Sequence, residues 1–142
     1  MLKNYRTWFW LAVVFQLLNA TLHSVSLFVA LEPANETERQ LVELLNTYHF
    51  EMGAGFNPTM SNLFTALSSC FTLLCAFAGA VNAFVLRKNA VELMSGILLI
   101  NVVIFGVCFG VMAVFTFPPP IILTGLIFGC LVVAFILRPT AR

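Results

Sequence analysis

The sequence predicts an all-α membrane four-helix bundle, and three observations carry that expectation. Apolar residues make up 61% of the 142 residues and charged residues only 9%, against roughly 25% charged in a soluble domain. A chain this short cannot hide that much apolar surface in one core. The apolar residues fall into four long runs, about 8–31, 60–86, 90–117 and 121–137. The basic residues collect between those runs in a pattern that fixes a topology.

Trp8 to Leu31 is long enough to cross about 30 Å of hydrocarbon at about 1.5 Å per residue. Lys3 and Arg6 ahead of it look like the start of a signal peptide. Leu18-Asn19-Ala20 makes a poor cleavage site, so a retained helix is expected. The second run, Met60 to Leu86, ends in the basic turn Arg87-Lys88-Asn89, and the third runs from Ala90 to about Phe117. Pro118-Pro119-Pro120 stops it, because proline cannot continue a helical ladder. Ile121 to Leu137 then makes a fourth span close to the shortest that crosses.

Four spans place the N-terminus (Lys3, Arg6), the second turn (Arg87, Lys88) and the C-terminus (Arg138, Arg142) on one side. Only Arg39 lies on the other. Basic residues stay cytoplasmic, so both termini are expected inside. Glu32, Glu36, Glu38, Glu43 and Glu51 gather outside. The outer segment begins with Asn35-Glu36-Thr37-Glu38, a capping box, and also a glycosylation-acceptor match. Leu41, Leu44, Leu45, Tyr48 and Met52 come next at helical spacing. They predict a short amphipathic helix on the membrane surface or the bundle mouth, ended by Gly53 and Gly55. Asn57-Pro58 is expected to open the second span.

Polar residues inside the spans are informative, since each needs a partner in hydrocarbon. Gln16, Asn19, His23 and Ser26 share one face of the first span. Ser61, Thr65, Ser68, Thr72, Gly79 and Ala83 share a face of the second, with Asn82 at its border, and the third contributes Asn101. Two readings fit: hydrogen bonds between helices that fix the bundle, or the lining of a small-molecule site. Gly106-x-x-x-Gly110 and Gly125-x-x-x-Gly129 allow close packing of the last two spans, or a homodimer seam. Cys70, Cys75, Cys108 and Cys130 show no zinc-type spacing and are expected to be packed thiols, with a Cys70–Cys75 redox pair the alternative.

His23 and His49 fall at the outer mouth, with Glu51, Asn57 and Asn62 near the second. Histidine ligates metals and haem and titrates near neutrality. The expected ligand-binding set is therefore His23, His49, Glu51, Asn19, Gln16 and Asn62. The sequence identifies no catalytic residue, metal ligand or cofactor. No ionisable residue falls at a span centre, which disfavours a proton- or ion-coupled transporter. Net charge of +1 with no basic run points away from nucleic acid. The expected surroundings are the bilayer, with a membrane-protein partner or a second copy.

Leu17-Leu18-Asn19-Ala20 with Leu22-His23-Ser24, Tyr48-His49-Phe50-Glu51-Met52-Gly53 and the aromatic entry at Phe64 give the first half of the chain a resemblance to an uncharacterised family of small four-helix bacterial inner-membrane proteins. That resemblance implies an inner-membrane location and a histidine near the end of the first helix. Relatives carry an aromatic-acidic cluster where this chain has Asn62-Leu63-Phe64. Two function classes are compatible with these features. One is a non-enzymatic accessory or lipid-like-ligand-binding protein with an outward polar cleft between the first two spans. The other is a redox, metal, haem or quinone-dependent membrane enzyme using His23 and His49.

Overall fold

The computed structural model describes residues 4–29 and 32–138. It is all helical apart from one small hairpin: α1 (Tyr5–Ser26), α2 (Glu36–Thr47), α3 (Met60–Lys88), α4 (Val91–Phe115) and α5 (Pro118–Leu137). Four of these, all but α2, are long and apolar enough to cross a membrane. Ala30, Leu31, Lys3 and Arg142 lie outside the described residues.

Several boundaries differ from the sequence expectation. The first helix stops at Ser26, not 31. There Ser26 Oγ donates to the His23 carbonyl at 2.7 Å, and Leu27, Phe28 and Val29 close tighter turns onto carbonyls three residues back. As expected, α4 ends just ahead of the three prolines, at Phe115, but the fourth span does not wait until Ile121. The prolines are its opening residues. They form the first turn of α5, where the missing N–H groups would be unpaired anyway. The fourth span is therefore 20 residues, enough for about 30 Å. Asn89 sits at φ 52°, the left-handed conformation that lets asparagine end a helix, and turns α3 directly into α4.

The chain divides into two compact units. One holds the N-terminus through Ala20 together with Leu74 onward; the other is Thr21–Leu73. In the first, Phe9, Leu86, Leu98, Ile127 and Leu131 are fully buried and form one core with Met94 and Phe105. Arg6 reaches the end of α3, donating to the Leu86 carbonyl at 2.8 Å and to Asn89 Oδ1. A cation there complements the negative helix end. The two glycine pairs do not oppose each other. Gly106 leaves room for the Phe128 ring and Gly125 for the Phe109 ring, each at about 3 Å from where a Cβ would stand, and the two rings stack at 6.0 Å. Gly110 and Gly129 face open space.

In the second unit, Asn35 caps α2, accepting from the Glu38 amide at 2.9 Å, and Glu38 accepts back from Ala34 N at 2.8 Å. The Arg39 guanidinium forks onto Glu36 and holds that carboxyl below its ordinary range. The helix does not run on to Met52. Asn46 and Thr47 side chains bond back to carbonyls four residues earlier, and Tyr48 turns extended. A β-hairpin then leads into α3. Phe50 N donates to Pro58 O and Met52 N to Phe56 O, His49 pairs with Thr59, and Gly53, Ala54 and Gly55 make the turn, all at positive φ. Gly53 and Gly55 thus turn a hairpin instead of ending a helix.

Candidate functional site

The polar residues expected to form one site divide between the two units. In the first, Gln16, Asn82 and Asn101 bring three helices together. Asn82 Nδ2 donates to Gln16 Oε1 at 3.0 Å and to Asn101 Oδ1 at 2.8 Å. Asn101 Nδ2 donates back to Asn82 Oδ1 at 3.1 Å and to the Ile97 carbonyl at 2.8 Å. Gln16 Nε2 completes the set toward Asn101 Oδ1 at 3.4 Å. Gln16 and Asn82 are 0% and 1% exposed. Every amide has a partner, so the cluster ties α1, α3 and α4 together with nothing left over for a ligand. Asn19, one turn further, donates to Cys75 Sγ at 3.5 Å. All four cysteines are free thiols.

The second unit holds the other four predicted residues. The His23 ring meets the Phe71 ring edge-on at 5.2 Å. His49 Nδ1 lies 2.6 Å from the Asn57 carbonyl; a carbonyl only accepts, so Nδ1 carries the proton. Thr59 caps α3: its Oγ1 accepts from Asn62 N–H at 3.2 Å, while Asn62 Oδ1 accepts from Thr59 N at 3.0 Å, a reciprocal box that starts the helix at Met60 and not at Pro58. Glu51 stands exposed on the hairpin. Among the described residues, no three His, Cys, Asp or Glu side chains converge as a metal site would need.

The same unit contains a cavity of about 430 Å³ between the end of α1, α2 and the first turns of α3. Its size falls in the range of small-molecule sites, about 300–1,000 Å³. Ser26, Asn46, Ser61, Thr65 and Ser68 contribute polar groups to its lining, and Leu27, Val29, Val42, Leu45 and Phe64 apolar ones. None of these groups is ionisable. Ser61, Thr65 and Ser68 stand at helical spacing on one face of α3, and Thr72 is next on that face. Thr72 is 8% exposed and its hydroxyl is buried without a hydrogen-bond partner, an uncommon state for a native polar group.

A scan of family models matches none, and no curated protein or solved structure is significantly similar to the chain. The resemblance to small four-helix bacterial membrane proteins gains no support from these comparisons and transfers no residue roles. The site is therefore read from its own chemistry. None of the six sequence-predicted site residues lines the cavity. The serine and threonine stripe that does line it was visible in the spacing of Ser61, Thr65 and Ser68. The contribution of Val42, Leu45 and Asn46 was not, because nothing in the sequence fixes how α2 lies on α3.

Proposed function

We propose that this chain is a non-enzymatic, multi-pass membrane protein that holds a lipid-like molecule in the cavity beneath α2. The observation that carries the reading is the mixed, uncharged lining. Four hydroxyls and one amide stand among aliphatic and aromatic side chains, which suits an uncharged amphiphile that hydrogen-bonds to Ser61, Thr65 or Ser68 and packs its apolar part against Val29, Leu45 and Phe64. A charged headgroup would be desolvated there without a counter-charge. Membrane insertion is supported by the outward surface of α4, where Leu99, Ile100, Val103, Ile104 and Val107 are all at least half exposed. In water such a surface is an association hazard; in a bilayer it is ordinary. The cluster of Arg6, Arg87 and Lys88 at the α3–α4 turn favours that end as cytoplasmic. The cavity then opens on the outer side of the inner (plasma) membrane, where a membrane-protein partner could exchange ligand with it.

Native mass spectrometry of the protein extracted in mild detergent tests this. The wild type is expected to carry a small-molecule adduct of lipid mass. Thr65→Leu combined with Ser68→Leu, which fills the cavity and removes two hydroxyls, is expected to reduce adduct occupancy by about tenfold, the equivalent of about 1.4 kcal/mol, with Tm unchanged. An adduct that survives the double substitution, or a wild type that carries none, contradicts the proposal.

A further inference from the structure

The hairpin between α2 and α3 is amphipathic in a way helical spacing hides. Its register pairs 49 with 59, 50 with 58 and 52 with 56, and directly opposed residues share a face of the ribbon while neighbours alternate. Phe50, Met52, Phe56 and Pro58 therefore occupy one face, and His49, Glu51, Asn57 and Thr59 the other. At the tip, Met52 is 57% and Phe56 71% exposed. The turn of Gly53, Ala54 and Gly55, all at positive φ, pairs these two residues across the ribbon. At its base, Phe50 meets Leu44, Tyr48 and Met60 around a small apolar hollow.

We infer that the apolar face of this hairpin is a lipid-docking surface that seats Met52 and Phe56 in the headgroup–acyl boundary of the bilayer leaflet where α3 begins. Three observations select lipid over protein as the occupant. The hairpin joins α3 with no spacer: Thr59, its last paired residue, is also the residue that caps the helix. Beyond Met60 on the same helix, Leu67 is 69% exposed; in a spanning α3 it belongs to lipid. The tip carries no charge, and Glu51 lies on the opposite face. The neighbouring α2 is acidic, with Glu36, Glu38 and Glu43 against Arg39. Docking is therefore driven by apolar insertion into a zwitterionic surface and not by attraction to anionic lipid.

The inference rests on the membrane reading of the proposed function, and the experiment separates the two. The full chain, with Trp8→Phe and Trp10→Phe, receives one tryptophan by Phe56→Trp, Glu51→Trp or Val103→Trp. Each variant is reconstituted in phosphatidylcholine vesicles brominated either near the headgroup end or near the end of the acyl chain. Phe56→Trp is expected to be quenched about threefold more by the shallow bromines than by the deep ones, at the depth of an interfacial side chain. Glu51→Trp is expected to respond to aqueous acrylamide instead, and Val103→Trp to the deep bromines. If Val103→Trp is quenched while Phe56→Trp responds only to acrylamide, the docking surface is refuted and the membrane reading stands. If Phe56→Trp is shielded from both quenchers, protein covers the face and the inference is overturned. If Val103→Trp escapes the bromines, both fail. A spin label on Met52→Cys, with Cys70, Cys75, Cys108 and Cys130 replaced by serine or alanine, gives a second readout free of the tryptophan background: greater accessibility to oxygen than to an aqueous nickel chelate supports docking, and the reverse refutes it.

Discussion

Asn82→Leu is expected to lower the unfolding free energy in bicelles by about 2 kcal/mol, measured by reversible denaturant titration. A single polar contact between membrane helices contributes on average about 0.6 kcal/mol and at most about 1.7, so the loss of a contact alone would not reach that figure. The larger effect comes from what is left behind. Asn82 both accepts from Asn101 and donates to Gln16 and Asn101, so its removal strands a fully buried Gln16 carbonyl and one N–H of the Asn101 amide, whose contacts to Gln16 and Ile97 remain. A buried polar group left unpaired costs about 1–3 kcal/mol. Replacing all three amides by leucine is therefore expected to recover most of the loss, because no orphan remains. If Asn82→Leu and the triple replacement are equally destabilised, contact loss and repacking govern the cluster instead.

Phe9→Ala is expected to cost about 3 kcal/mol, the low end of the range for emptying a buried aromatic site. Phe9 is 0% exposed and packs in the core that also holds Leu86, Leu98, Ile127 and Leu131. In a bilayer the transfer term is weak, since lipid is as apolar as the core. What is lost is the dispersion contact across the cavity. The contrast is Val103→Ala on the exposed flank of α4, where lipid fills the space and the change is expected to stay within about 0.5 kcal/mol. Equal losses at the two positions, in the same bicelle titration, would mean that Phe9 is not in a packed interior.

The four apolar helices were legible because run length and hydropathy need no tertiary information. The amide cluster was legible as hydrogen bonding that fixes the bundle: the polar stripe of the first span packs on the second, where Asn82 borders the small-residue stripe, with Asn101 nearby. The individual pairings depend on how three helices rotate, which periodicity does not give. The hairpin was misread for a definite reason. Tyr48 and Met52 are four apart, which fits a helix face and equally fits two steps of strand alternation. The residues that decide between them are Gly53, Ala54 and Gly55, whose positive φ makes a turn, and the polar alternation of His49, Glu51 and Asn57. The proline triplet does follow the end of the third span, as read, but the first turn of the next helix also accepts it, so that helix starts at Pro118. The glycines of the last two spans do allow close approach, but Gly106 and Gly125 each admit a phenylalanine from the opposing helix, and the sequence alone does not pair Gly106 with Phe128. The cavity was legible on the α3 side only, through its hydroxyl row.

Both the cavity and the hairpin readings require α1, α3, α4 and α5 each to cross the bilayer once, and cysteine labelling tests that most directly. On a background with Cys70, Cys75, Cys108 and Cys130 replaced by serine or alanine, single cysteines are placed by Asn4→Cys, Glu38→Cys, Lys88→Cys, Phe117→Cys and Arg138→Cys. A membrane-impermeant maleimide is then applied to sealed vesicles of each orientation. The expected result is alternation: positions 4, 88 and 138 react from the cytoplasmic side and positions 38 and 117 from the opposite side. Labelling of positions 38 and 88 from the same side would contradict a spanning α3, and with it the membrane setting of both the cavity and the hairpin.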